Sequence, residues 1–114
     1  MDRKEAEIKL KSSFGIAHFY DDQWEAIDKI LKGERILLIE RTAFGKSLCY
    51  QFPATQFPGI TIIFSPLIAL MRDQVKALKQ KGILAAYINS EQSKEDNDDV
   101  IKQALAGMIK ILYI

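Results

Sequence analysis

The sequence holds one cysteine, Cys49, and one histidine, His18, in 114 residues. A lone thiol excludes an internal disulfide and a cysteine-rich zinc site. A lone imidazole without a neighbouring cluster of Cys, Asp or Glu is not a metal centre, and His18 is read as a half-exposed structural residue. Only three prolines are present, and there is neither a low-complexity segment nor an internal repeat. No apolar run reaches the roughly 18 residues that a membrane-spanning helix needs. The opening Met1-Asp2-Arg3-Lys4-Glu5 is charged and has no apolar signal core behind it. No membrane association and a reducing, cytoplasmic location are therefore expected. Charge of one sign is also lacking: 16 Lys plus Arg against 15 Asp plus Glu leave a formal net charge of +1. That excludes a strongly basic nucleic-acid arm and an acidic tail, and leaves room for a local basic patch.

What is present suits a packed core. Hydrophobic residues make up 48% of the chain, too many for a disordered segment, and the length is that of one domain or part of one. Two helical patterns come first. Residues 2–13 carry Ala6, Ile8 and Leu10 among charged residues, closed by Phe14-Gly15. Residues 21–32 open on Asp21-Asp22, good N-cap residues, place Trp24, Ile27, Ile30 and Leu31 on one face, and stop at Gly33. From Arg35 the rhythm changes to short apolar runs: Ile36–Ile39, Ile60–Phe64, Leu84–Ile88 and Ile111–Ile114. None alternates, so each reads as a strand buried on both faces. Helical stretches at 46–54, 66–81 and 93–106 lie between them, with Gly82 and Gly107 as stops. Strand–helix alternation at this spacing predicts βαβ units, hence an α/β fold with a parallel sheet of about four strands flanked by helices. Ligands of such sheets bind beyond the carboxyl ends of the strands, so the residues after each strand matter most.

After the first strand comes Glu40-Arg41-Thr42-Ala43-Phe44-Gly45-Lys46-Ser47. Gly-Lys-Ser between a buried strand and a helix is the closing part of a phosphate-binding loop. Gly45 lets backbone N–H groups approach an anion at the helix N-terminus, Lys46 can neutralise β- and γ-phosphates, and the Ser47 hydroxyl can ligate Mg²⁺. Glu40 stands where the eight-residue pattern begins with glycine. The plainer alternative is an ordinary strand-to-helix turn with a surface lysine. After Phe64, Ser65 and Pro66 suit an N-cap and a first helical turn, with Leu67, Leu70 and Met71 packing inward and Arg72 and Gln74 unassigned. After Ile88, either Ser90 or Ser93 can cap the next helix. Lys76, Lys79 and Lys81 with Arg72 make one helix basic: a solvated face by default, a nucleic-acid track as the sharper reading. Cys49 reads as a small buried hydrophobe, Trp24 as core, and Asp96, Asp98 and Asp99 as charges favourable near a helix start.

Together these blocks resemble the first RecA-like domain of the RecQ family of ATP-dependent DNA helicases, in superfamily 2. The resemblance runs from about Leu10 to Ile114. It rests on Phe14-Gly15, on Phe19 with Gln23, on Gly45-Lys46-Ser47-Leu48-Cys49-Tyr50-Gln51, on Ser65 through Val75, on Asn89-Ser90 and on Leu112-Tyr113-Ile114. It implies one partial RecA-like ATP-binding domain over 1–114, with the adenine-reading helices in 1–33 and the phosphate-loop core in 34–114. It implies further that Tyr20 and Gln23 meet adenine, that Thr42, Ala43, Phe44, Gly45, Lys46 and Ser47 hold the phosphates of ATP with Mg²⁺ on Ser47, and that Lys46 is essential to turnover. Ser65, Pro66, Leu67, Arg72, Asn89 and Ser90 would contact single-stranded or partly duplex DNA, along which the family moves 3′ to 5′.

The chain departs from the family pattern in places. Tyr20 stands for an arginine, Ile16 for a frequent aromatic, Arg41 for a proline, and Ala43-Phe44 for a glycine pair, where a side chain penalises φ > 0. The family's next strand, with its Asp-Glu-x-His box, does not occur before Ile114, nor does a second RecA-like domain. An incomplete domain with negligible ATPase activity of its own is expected. A gap is also expected beside the strand ending at Phe64, to be answered by strand rearrangement, by pairing with another chain, or by marginal stability. Two other functions compete: a non-catalytic module binding nucleotide or single-stranded DNA, and a different phosphate-loop enzyme such as a small kinase, against which the Ser65–Gln74 block speaks.

Overall fold

The computed structural model describes residues 1–34, 46–64 and 68–114. In chain order these form helices α1 (Arg3–Phe14), α2 (Asp21–Leu31) and α3 (Lys46–Gln56), strand β1 (Thr61–Ile63), helix α4 (Ile68–Gln80), strand β2 (Ala85–Tyr87), helix α5 (Lys94–Leu105) and strand β3 (Ile111–Tyr113). The strand expected at 36–39, the loop Glu40–Gly45, and Ser65, Pro66 and Leu67 lie outside the described residues. The chain divides into two compact units, Met1–Phe57 and Pro58–Ile114.

In the first unit, α1 begins where the Asp2 carboxylate accepts the Glu5 N–H at 2.8 Å. It ends at Gly15, whose φ of 72° only glycine adopts without strain. Ala6, Leu10 and Phe14, four residues apart, form its buried stripe. Ile8 falls outside that stripe and is exposed, so the apolar set read from the sequence shrinks by one. The start of α2 also differs from expectation. Tyr20 occupies the N-cap, and Asp21 and Asp22 fill the first turn, where carboxylates suit the positive end of the helix dipole. The capping contact comes from Gln23, whose Oε1 accepts the Tyr20 N–H at 2.9 Å.

Phe52 of α3 is fully buried and central to this unit. Its ring meets Phe19 edge-on at 5.2 Å and lies 6.3 Å from Phe14, arrangements that aromatic quadrupoles favour. Trp24 is half-buried, with its ring 5.7 Å from Phe19. Cys49 is buried, as its reading as a small hydrophobe requires.

The second unit is a parallel three-stranded sheet in the order β1-β3-β2. β3 pairs on both sides, Ile111 facing Thr61 and Ala85 and Tyr113 facing Ile63 and Tyr87. The crossover through α4 moves two strands across the sheet and that through α5 moves one strand back. Right-handed connections in opposite directions place these helices on opposite faces. Met71, Val75 and Leu78 of α4 are buried, while Leu70, expected inside, is exposed.

Among the described strands, the expectation of burial on both faces holds for β3 alone, whose three residues are all buried. β1 and β2 each have one neighbour among the described residues, and Ile62 and Phe64 stand 48% and 80% exposed. An unbroken apolar run fixes strand character, whereas exposure depends on place in the sheet. Gly82 and Gly107, at φ 78° and 75°, follow the ends of α4 and α5 as read.

Candidate functional site

Two groups of the residues singled out by sequence can be followed. In the first unit, Lys46 and Ser47 are the first two residues of α3 and are half-buried. The first turn of α3 carries no acidic residue, so the positive dipole end faces no competing carboxylate from that turn. Among the described residues Lys46 forms no ion pair. A lysine so placed is available to an anion. The donor set fits a polyphosphate with its Mg²⁺: ammonium, hydroxyl and helix N-terminus on successive positions.

Tyr20 and Gln23 present themselves differently. Tyr20 is 68% exposed. Gln23 is 5% exposed, and its Oε1 already holds the Tyr20 N–H. α2 packs directly on α3, so the helix bearing Gln23 and the helix opened by Lys46 share one core.

The segment leading into Tyr20 is fixed by α1, a device that went unread in the sequence. Arg3 donates to the Phe19 carbonyl at 2.7 Å and to Asp21 Oδ1 at 2.7 Å. Glu7 Oε2 accepts the Phe19 N–H at 2.8 Å. Both backbone groups of Phe19 are thus held by one helix, and His18 Nδ1 lies 3.4 Å from the same Glu7 oxygen. The Phe19 N–H holds the Glu7 carboxyl below the usual carboxylate range, with His18 and Arg3 adding to the effect. The i, i+4 spacing of Arg3 and Glu7 is visible in the sequence. Its target eleven or more residues away is not.

In the second unit three of the described residues singled out by sequence lie toward the carboxyl edge of the sheet. Asn89 and Ser90 follow β2, and Arg72, exposed, lies in the first turns of α4. Asn89 is held locally: its Oδ1 accepts the Glu91 N–H at 2.9 Å, its carbonyl accepts Asn97 Nδ2 at 3.0 Å, and its Nδ2 lies 4.0 Å from Met71 Sδ. The alternative between Ser90 and Ser93 resolves in favour of Ser93, whose hydroxyl accepts the Asp96 N–H at 3.1 Å and caps α5. Ser90 is exposed and takes no part in that cap. No group of three or more potential metal-ligating side chains occurs among the described residues, and no helix among them is long and apolar enough to cross a membrane.

The helices and the parallel three-stranded sheet among the described residues define an α/β protein. Residues 20–114 match the DEAD/DEAH box helicase family, and the chain belongs to that family. Within it the similarity is to the RecQ branch. The chain is 45% identical over 105 residues to the ATP-dependent DNA helicase RecQ of Haemophilus influenzae, covering 92% of this chain and 17% of that protein. It is 44% identical over 110 residues to the ATP-dependent DNA helicase RecQ of Bacillus subtilis, covering 96% and 19%. The chain therefore spans about a fifth of the length of these relatives. Among solved structures, the DUF1998 helicase MrfA, crystallised with DNA and AMPPNP, superposes with a TM-score of 0.66 at 25% identity, over 99% of this chain and 16% of that one. An incomplete RecA-like domain is the fold class that these likenesses and the parallel sheet define.

Proposed function

We propose that the chain is the nucleotide-binding portion of an ATP-dependent DNA helicase of the RecQ type, in which ATP hydrolysis drives 3′-to-5′ unwinding. The observation that carries this reading is Lys46-Ser47 opening α3, half-buried and facing no acidic group of its own first turn, within a sequence 45% identical to a RecQ helicase. When ATP binds, Lys46 neutralises its terminal phosphates, Ser47 ligates Mg²⁺, and the loop Thr42-Ala43-Phe44-Gly45 supplies backbone donors. Bound ATP supplies the free energy of hydrolysis. The chain's own residues bind and orient it. Tyr20 stacks on the base, and Gln23 reads its edge. Ser65, Pro66, Leu67, Arg72, Asn89 and Ser90 contact the backbone of single-stranded or partly duplex DNA. A cytoplasmic location accords with the single reduced thiol, Cys49.

A second reading takes these 114 residues by themselves as a non-catalytic module that binds nucleotide or single-stranded DNA. Titration of a fluorescent ATP analogue tests the common part of both readings. Lys46→Ala is expected to abolish binding, and an unchanged affinity would place the nucleotide elsewhere. Phosphate release separates the two, with negligible turnover expected from the chain by itself and full-helicase rates counting against the module. Self-association through the edge of β1 that has no partner among the described residues is proposed with either reading.

A further inference from the structure

Beside Arg72, already assigned to DNA, α4 and β2 border a groove of about 590 Å³ lined by Arg72, Val75, Lys76, Lys79, Gln80 and Tyr87. At 100° per residue Arg72, Lys76 and Lys79 fall within about 60° of one another on the helix and span about 10 Å along it. The groove lining contains three cations and no carboxylate. Among the described residues none of the three forms an ion pair. Beneath this basic rim lie the buried side chain of Val75 and the half-buried ring of Tyr87. Tyr87 shares a strand face with Ala85, the face that packs on α4.

We propose that this groove binds a run of single-stranded DNA, with about three consecutive phosphates on Arg72, Lys76 and Lys79 and one base against Tyr87 and Val75. The inference rests on the DNA-binding reading above and extends it from the carboxyl edge of the sheet along the outside of α4. Cations alone would suit any polyanion. The apolar and aromatic floor is what a base, with a π-face beside every phosphate, uses and an acidic peptide does not. Three consecutive phosphates of a stacked strand span two steps of roughly 3.4 Å, about 7 Å, within the about 10 Å over which the three long cationic side chains are rooted. The groove is also continuous with the proposed contact set, since Arg72 belongs to both and Asn89 follows Tyr87 by two residues.

The test titrates the 114-residue chain with a short labelled oligothymidylate at several salt concentrations, beside Lys76→Gln/Lys79→Gln, Asn89→Ala and Tyr87→Leu, each checked by circular dichroism. The double lysine variant is expected to bind about ten-fold more weakly at low salt and to lower the slope of log affinity against log salt by about 1.4, near 0.7 per lost phosphate contact. Its affinity for a fluorescent ATP analogue should not change. A strand with abasic positions should bind the unaltered chain about five-fold or more weakly, and that loss should shrink in Tyr87→Leu. If the double variant binds like the unaltered chain while Asn89→Ala weakens binding, the groove proposal falls and the DNA reading stands. No binding by the unaltered chain at low salt overturns both. Equal binding of abasic strand and polyglutamate makes the groove a site for acidic peptide and overturns the proposal.

Discussion

The most informative single residue is Glu7, because one carboxylate oxygen fixes the segment that delivers Tyr20 and Gln23. Its pKa lies below the ordinary value of 4.5, first because the Phe19 N–H donates to it and then through His18 and Arg3. A depressed carboxylate binds its proton less readily in the folded state than in the unfolded one. Its contribution is therefore complete above the unfolded pKa and is lost as pH falls through the lower folded value. Urea midpoints measured from neutral pH down to about pH 2 should then decline on the acid side for the unaltered chain. Glu7→Gln is expected to lower the midpoint at neutral pH and to flatten that acid decline. A parallel decline in both proteins would mean that Glu7 does not clamp the segment. Gln23, for which the resemblance implies a place at the base, holds the same segment from the other side: its Oε1 accepts the Tyr20 N–H.

At the scale of elements, the sequence was most legible where physics is local. Helix spans, the glycine stops at Gly15, Gly82 and Gly107, and the three described strands all followed from periodicity and φ > 0 requirements that neighbouring residues settle among themselves. What the sequence did not reveal was assigned by partners distant in the chain. Leu70 and Ile8 are apolar yet exposed, since a helix buries only the stripe that meets its neighbour. Of the candidate site, the helix-opening Lys46-Ser47 and the post-strand placement of Asn89-Ser90 were legible, and the Arg3–Glu7 grip on Phe19 was not, because its two ends lie on separate elements. The same distinction sets the weight of α3. Phe52 reads as one more apolar residue of a helix, but it is the fully buried ring on which Phe14 of α1 and Phe19 of the following segment converge. Phe52→Ala should cost about 3–5 kcal/mol, the transfer loss plus an unfilled cavity. Differential scanning calorimetry would register the change, and a loss below about 1 kcal/mol would show that the cluster collapses around the smaller side chain.

For the whole molecule, the proposed self-association would run through the sheet edge. β1 has a described partner on one side only, through β3, and Ile60, Ile62 and Phe64 along it are exposed. Unpaired backbone donors and acceptors beside apolar side chains form a template for another strand. A chain with a formal net charge of +1 has little electrostatic repulsion to keep copies apart. Sedimentation velocity over a range of concentrations should therefore show reversible association near neutral pH. Ile62→Lys places a charge on that strand at a position already half open to water, so it should weaken association while leaving the melting temperature nearly unchanged. Raised salt should not rescue the unaltered chain, because the attraction is apolar and backbone-mediated rather than ionic. A unaltered chain that stays monomeric at every concentration would show that the β1 edge is covered from within the chain, and Ile62→Lys would then lower the melting temperature instead.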